Sequence, residues 1–326
     1  MTKFTTAAVI GAGTIGLSWT ALFAGHGMDV WVSDPRPDLA EAVETALTKF
    51  EALFSAENSS TQFGPHLAQQ GLDVDGLADR VHLAGDVTEA VRNADIVQEN
   101  GPESVEFKKD LFATLLEEAP AHALLLSSSS AIPSTAFTGD LDDASRVLIG
   151  HPFNPPHLMP LVEVVPGERT SEDSVQRAVE FYRFVGRTPV VERKEMPGFV
   201  GNRLQNALSR EAIYLVEQGV VTPEDLDAVI TNSLGLRWAT VGPFLGSHLG
   251  GGPGGYRHMA EHIGKGMKQM WAGLGQPSQG PEEQERLIQA VEKAYGSSTY
   301  TELSDTRDRK QLAVLSALDS ATKEEN

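Results

Sequence analysis

The sequence predicts an α/β fold: a doubly wound, mostly parallel sheet over residues 1–195, then an all-helical domain over 196–326. Three observations carry this. Short apolar strands alternate with segments of helical period up to residue 150. A glycine-rich turn joins the first strand to the first helix. After Met196 the pattern becomes almost wholly helical.

The elements follow in order. TAAVI at 6–10 is a short apolar strand running directly into GAGTIG. The next helix, through Trp19, Leu22 and Phe23, ends near Gly25 and Gly27, and MDVWVS at 28–33 is a second strand closed by Asp34. Together they make a β-α-β unit long enough for a parallel pair. A helix is expected over 39–56, and a second helix or a hairpin arm over 64–79. Then come a strand at 80–84, a helix near 88–93, the strand ADIVQE at 94–99 and a helix at 106–118. The strands ALLLSS at 123–128 and RVLIG at 146–150 complete the alternation. Beyond Met196 helices are expected at 197–218, 222–233, 282–295 and 300–320, the second of them opened by a Thr-Pro-Glu-Asp start signal. HLGGGPGGYRH at 248–258 reads as a loop.

Composition bounds the function. A chain of 326 residues with 40% hydrophobic and 22% charged residues has enough apolar matter for two cores. It contains no cysteine, which removes disulfides, thiolate metal sites and cysteine nucleophiles together. A formal charge of −19 argues against nucleic acid or an anionic membrane as partner. MTKFTTAAVIG carries one lysine and runs straight into a strand, unlike a secretory signal. No apolar stretch approaches the roughly 20 residues that span a bilayer. A cytoplasmic protein acting on a small molecule is the expectation.

Gly11, Gly13 and Gly16 match G-x-G-x-x-G, with Thr14 and Ile15 inside the turn. The motif follows a strand, opens a helix and precedes a strand ending in Asp34, which is the context of a Rossmann-type dinucleotide site. Gly11 permits the tight turn, Gly13 lets the backbone approach a pyrophosphate, and Gly16 allows close packing of helix on sheet. Asp34 is placed to accept from the adenosine ribose hydroxyls and repel a 2′-phosphate, which favours NAD, although Arg36 nearby is a residue that can hold such a phosphate.

Ligands of such sheets bind outside the carboxyl ends of the strands. Ser127–Ser130, His151 and Glu99 all fall there, whereas His157 lies inside the proline-rich bridge HPFNPPHLMPLVE and ends no strand. His151 is therefore the better base by position. HMAEH at 258–262 matches an inverted zinc-protease signature, but nothing nearby supplies an obvious third ligand, so no metal is expected.

HPFNPPHLMPLVEVV at 151–165 and PGFVGNRL at 197–204 resemble the L-3-hydroxyacyl-CoA dehydrogenase family. With SSSSAIPS at 127–134 they are similar above all to its small-substrate branch, which holds λ-crystallin (L-gulonate 3-dehydrogenase) and L-carnitine dehydrogenase. The resemblance covers nearly the whole chain and implies a homodimer joined through the helical domain, with the active site between the domains. It implies His151 as the catalytic histidine, Glu163 as its carboxylate partner and Asn202 as the substrate-site asparagine. Ser129 would bond the reacting oxygen, or Ser130 if the run slips by one. Glu99 and Lys108 match positions near the nicotinamide ribose.

The chemistry asks for this set. Oxidising a secondary alcohol removes the hydroxyl proton as hydride leaves carbon, and histidine titrates near neutrality. A carboxylate on its other nitrogen fixes the tautomer. Between Lys49 and Arg80 there is no lysine or arginine, while the CoA-dependent relatives carry basic residues there, so a CoA ester is disfavoured. Arg237 matches an arginine of the gulonate and carnitine enzymes and suits a free carboxylate. Trp238, with Phe244 and Tyr256, suits a quaternary ammonium. LGGGPGGYRHM resembles the carnitine enzymes' glycine-rich segment. The expectation is an NAD-dependent dehydrogenase of a small 3-hydroxy acid of the L-gulonate, L-carnitine or 3-hydroxybutyrate type. A short-chain L-3-hydroxyacyl-CoA dehydrogenase is the alternative.

Overall fold

The computed structural model describes residues 4–54, 72–278 and 280–324. Eight strands form one sheet: β1 (Thr6–Ile10), β2 (Asp29–Ser33), β3 (Val81–Leu83), β4 (Ile96–Glu99), β5 (Leu124–Ser127), β6 (Val147–Pro152), β7 (Leu161–Pro166) and β8 (Thr188–Val191). Their order is β3-β2-β1-β4-β5-β6-β7-β8. The chain winds outward from β1 to β3, then crosses back to place β4 on the other side of β1. That reversal opens a crevice at the carboxyl ends of β1 and β4.

Every neighbouring pair is parallel except β6 and β7. The exception follows from chain length. Only residues 153–160 separate these two strands, and a parallel return needs a crossover of about a dozen residues or more. The proline bridge is too short for that, so β7 runs back beside β6. The helix Glu172–Phe184, opened by a Ser171 side chain that accepts from Ser174 N–H, then supplies a full crossover, and β8 is parallel again. The sequence reading assigned no element to LVEVV, to residues 172–184 or to TPVV.

Both faces of the central strands are covered, and β1, β4, β5 and β6 are buried along almost their whole length. On one face Ile10, Val97, Leu125 and Ile149 pack with Leu111, Phe112 and Leu115 of the helix Val105–Glu118. On the other, Trp19, Phe23, Phe181 and Tyr182 form a ring cluster with centroids 5.1–5.9 Å apart. All four rings are fully buried.

The helix expected over 39–56 is Leu39–Phe54 as far as it is described. Half of the expected element at 64–79 lies outside the described residues, and 72–76 lead into a 3₁₀ turn, Leu77–Arg80. The stretch at 248–258 is not a loop. It is the end of a helix Pro243–Gly250, a 3₁₀ turn Gly252–Gly254 and a helical turn Gly255–His258. Gly252 and Gly255 have positive φ, +59° and +60°, so the glycines break the path between short helices rather than dissolve them. No described helix is long and apolar enough to cross a membrane.

The chain divides into two compact units, Met1–Arg203 with Leu315–Asn326, and Leu204–Val314. The sheet lies in the first. The second is helical, with Pro223–Thr231, Leu234–Trp238, Gly264–Gly273 and Pro281–Tyr295 among its elements.

Candidate active site

The glycine turn is shaped for a ligand. Gly13 is the N-cap of the helix Thr14–Gly25, so the amides of Thr14, Ile15 and Gly16 lie in its first turn, where N–H groups lack intrahelical acceptors. A Cβ on Gly16 would sit 1.8 Å from the Gly11 carbonyl oxygen, which makes glycine obligatory for packing. A Cβ on Gly13 would meet nothing within 4 Å. Gly11, Gly13, Asp34, Asp86, Asn100 and Phe107 help line a cavity of about 770 Å³, of the size that holds a nucleotide.

Asp34 follows the tip of β2 and accepts from Ala12 N–H at 2.6 Å and Arg36 N–H at 2.9 Å. It thus locks the turn while lining the cavity. Arg36 is turned away from phosphate duty: its fork grips Asp38 with two bonds of 2.8 Å, and its third group donates to the Ala12 carbonyl at 3.1 Å. The Arg36 bond holds the Asp38 carboxyl below its usual range.

The β6–β7 register sets His151 directly opposite Glu163. Cross-strand partners share one face of a sheet, and here the imidazole Nδ1 lies 2.8 Å from Glu163 Oε2. Both side chains are buried, 4% and 3% exposed. The other Glu163 oxygen accepts from Gly201 N–H at 2.6 Å. Burial pushes the Glu163 carboxyl up, but the bonds from His151 and Gly201 outweigh it and hold the group below the usual carboxylate range. With Nδ1 engaged by a carboxylate, Nε2 is the nitrogen left for chemistry.

The proline bridge is pinned at several points. Arg187, buried and held down to about 10 by desolvation, donates to the Pro156 carbonyl at 2.9 Å. Thr188 N–H donates to Pro160 at 2.7 Å. His157 packs in the wall, with Nδ1 2.7 Å from Ser18 Oγ and its ring against Phe50 and Phe54. Phe153 and Phe199 flank His151, with ring centroids at 5.2 and 5.5 Å. Phe199 has φ +48°, a conformation costing about 1–3 kcal/mol for a non-glycine residue, held here by full burial.

The serine run joins the same site. Asn202 Nδ2 donates to the Ser130 carbonyl at 2.9 Å, tying the turn that carries Gly201 to the end of β5. Ser129 is buried and accepts from Ile132 N–H at 3.0 Å, and its hydroxyl lies 2.9 Å from Glu103 Oε2. Glu103 also takes the Ser130 N–H. His151 thus bonds Glu163, Glu163 bonds the amide of Gly201 beside Asn202, Asn202 bonds Ser130, and Glu103 joins Ser130 to Ser129.

Glu99 and Lys108 pair with each other at 2.8–2.9 Å and are fully buried, with Ser127 donating to Glu99 at 2.5 Å. Arg237 and Trp238 stand in the second unit, both exposed, on the helix Leu234–Trp238. His258 and His262 stack on each other, centroids 4.2 Å apart. Among the described residues no group of three or more potential ligands is disposed to hold a metal.

Two acids in the site were missed by sequence reasoning. Glu103 follows β4 in the loop that opens at its carboxyl end, so the strand-end rule that singled out Glu99 would have reached it. Glu192 accepts from Val200 N–H at 2.8 Å beside the dyad. Without β7 and β8 on the map, nothing in the sequence marked it.

Residues 6–196 match the NAD binding domain of 3-hydroxyacyl-CoA dehydrogenase, and residues 198–276 match its C-terminal domain. A protein of Gibberella moniliformis named 3-hydroxyacyl-CoA dehydrogenase is 41% identical over 96% of this chain and 94% of its own length. L-carnitine dehydrogenase of Streptomyces coelicolor is 38% identical, covering 95% and 93%, and that of Pseudomonas putida is 36% identical, covering 98% and 96%. Among solved structures, a 5-formyl-3-hydroxy-2-methylpyridine 4-carboxylic acid 5-dehydrogenase, an NAD⁺-dependent dismutase, is similar with a TM-score of 0.73 and 28% identity, over 96% of this chain and 97% of that one. The glycine turn, the nucleotide-sized cavity and the buried imidazole–carboxylate pair thus stand within matched domains, and the chain belongs to the 3-hydroxyacyl-CoA dehydrogenase family as an NAD-dependent oxidoreductase acting on a CH–OH group.

Proposed function

We propose that the enzyme oxidises the 3-hydroxyl of a small, carboxylate-bearing hydroxy acid, with L-carnitine as the first candidate, and that His151 is the base. The observation that carries the reaction is the buried His151–Glu163 pair at 2.8 Å. His151 Nε2 takes the hydroxyl proton, the carbon gives up hydride, and the alcohol becomes a ketone. Bound NAD⁺ supplies the hydride acceptor. Glu163 compensates the imidazolium as it forms. Asn202 and Ser129 hydrogen-bond the oxygen as its charge changes. In the isolated chain the Ser129 hydroxyl is directed to Glu103, so donating to substrate requires it to turn from that carboxylate.

The carnitine relatives, 36–38% identical over nearly the whole chain, support the substrate class. Arg237 then clamps the carboxylate, and Trp238 with the edge-to-face pair Phe244 and Tyr256 receives a quaternary ammonium. The 41% identical Gibberella protein favours the second reading, a CoA ester. A panel of L-carnitine, L-gulonate, 3-hydroxybutyrate and 3-hydroxybutyryl-CoA, run with NAD and NADP, separates the two. NAD-linked turnover of a free acid is expected, and activity confined to the CoA ester would overturn the substrate assignment.

The same reading includes a homodimer in the cytoplasm. The helices Pro223–Thr231, Leu234–Trp238, Pro243–Gly250 and Pro281–Tyr295 of the second unit have no buried residue. Phe244, Leu249, Met270 and Trp271 are 60–77% exposed. That much apolar surface is typical of an obligate interface, and a second copy is the occupant the family resemblance implies. Sedimentation equilibrium at micromolar concentration should return twice the 35.0 kDa chain mass, and a monomer there would refute the dimer.

A further inference from the structure

Glu192 lies one residue past β8, and its N–H still bonds the Val164 carbonyl at 3.0 Å, so the ladder extends to it. In the β7–β8 register Glu163 is opposite Val190. Side chains alternate along a strand, so Glu192 is on the same face of the sheet as Glu163 and His151. Three ionisable groups from three adjacent strands thus meet on one face, and Glu192 is 8% exposed.

Both carboxylates are held by the start of one helix. Glu163 accepts from Gly201 N–H at 2.6 Å, and Glu192 accepts from Val200 N–H at 2.8 Å. These are consecutive amides of the first turn of Val200–Glu217. A helix N-terminus carries roughly half a positive charge, enough to favour one adjacent anion and insufficient for two buried ones. The imidazole supplies a full positive charge only when it is protonated.

We propose that Glu192 is a positioning residue for the reaction: it keeps a proton that it donates to Glu163, and so holds that carboxylate, singly charged, against His151 Nδ1. The claim rests on the reading of His151 as base and Glu163 as its partner. The groups that face Glu192 are Glu163 on β7, His151 on β6 and the Val200 amide. Burial raises the Glu192 carboxyl, the Val200 N–H opposes this, and the charge of Glu163 raises it further, leaving it above the usual range. The hydrogen bond between the two carboxyls acts the other way on Glu163, lowering it. Opposite shifts on neighbouring acids are what a shared proton produces. An ionised Glu192 would put a second negative charge beside the imidazole and make it harder to deprotonate. The retained proton removes that charge, so the imidazole faces a single carboxylate.

Ring-¹⁵N histidine NMR on the full-length protein tests this without a known substrate. The nine histidines are resolved by comparison with His151→Gln. In the parent, the neutral form of His151 is expected to be the Nδ1–H tautomer, because Nδ1 faces Glu163. Glu192→Gln, which keeps a donor and carries no charge, should show the same Nδ1–H tautomer as the parent. In Glu192→Ala the Nδ1–H preference should weaken, and turnover on the best substrate of the panel should fall by about tenfold, with Glu192→Gln recovering to within about threefold. An unchanged His151 tautomer in Glu192→Ala, or a Glu192→Gln protein that departs from the parent as far as Glu192→Ala does, would overturn the proposal, as would equal losses of turnover in the two variants. Turnover that survives His151→Gln would instead remove the base assignment, and this inference with it. An inactive His151→Gln protein together with an unchanged His151 tautomer in Glu192→Ala removes only the inference.

Discussion

His151→Ala lowers turnover of the hydroxy acid by about 10³- to 10⁴-fold and leaves NAD⁺ affinity within about twofold of the parent. The size follows from what is removed. General base catalysis contributes at most about 10⁴-fold, and loss of the ring also strands Glu163, a carboxylate 2% exposed whose main partner is His151. At about 1.4 kcal/mol per tenfold, the loss corresponds to about 4–5.5 kcal/mol of transition-state stabilisation. Cofactor affinity stays because the glycine turn, Asp34 and the cavity they line are built around β1, β2 and β4, while His151 is on β6. Single-turnover kinetics with saturating NAD⁺, alongside displacement of fluorescent NADH by NAD⁺, measure the two numbers. Loss of turnover together with loss of NADH binding would assign His151 to structure.

Why His151 and Glu163 meet is a lesson in what a sequence carries. The prolines of HPFNPPHLMPLVE mark a stiff connection, but stiffness alone does not say where its far end lands. The answer came from length. Eight residues cannot make a parallel crossover, so LVEVVP returns antiparallel, and the register then places position 163 across from 151. A short, mostly apolar run such as LVEVVP is ambiguous by periodicity, so the sequence singles out its glutamate without marking a strand. The first half of the chain was legible because local rules agree there: strand, glycine turn, helix, strand and terminal acid succeed each other without competition.

The helical unit was less so. Glycine clusters at 250–255 read as loop by composition, although each glycine only ends or begins a short helix. Partners of side chains are the least legible of all. Glu103 and Glu192 are ordinary acids in sequence, and their meaning comes from amides and hydroxyls that other segments bring to them. Arg36 shows the reverse: a cation that sequence places near a 2′-phosphate site is spent on Asp38.

The second large effect is at Gly13. In this chain Gly13 does not need to be glycine for its backbone. Its φ of −74° and ψ of −173° are extended geometry open to any residue, and a Cβ there would meet no atom within 4 Å. That empty space is part of the cavity bounded by Asp34 and Asn100. Glycine is required here by the ligand, because a pyrophosphate must reach the first-turn amides. Gly13→Val should therefore raise the dissociation constant of NAD⁺ by about 100-fold or more, equivalent to about 3 kcal/mol, by holding the phosphates off those amides. The melting temperature should fall by at most about 3 °C, the cost of a poorer N-cap in a chain of this size. Gly16→Ala makes the contrast, since its Cβ would lie 1.8 Å from the Gly11 oxygen and would disturb the helix packing and the cofactor site together. Calorimetric titration with NAD⁺ and a thermal melt on both variants decide the matter. A Gly13→Val protein that binds NAD⁺ as the parent does would mean that the dinucleotide does not cross this turn.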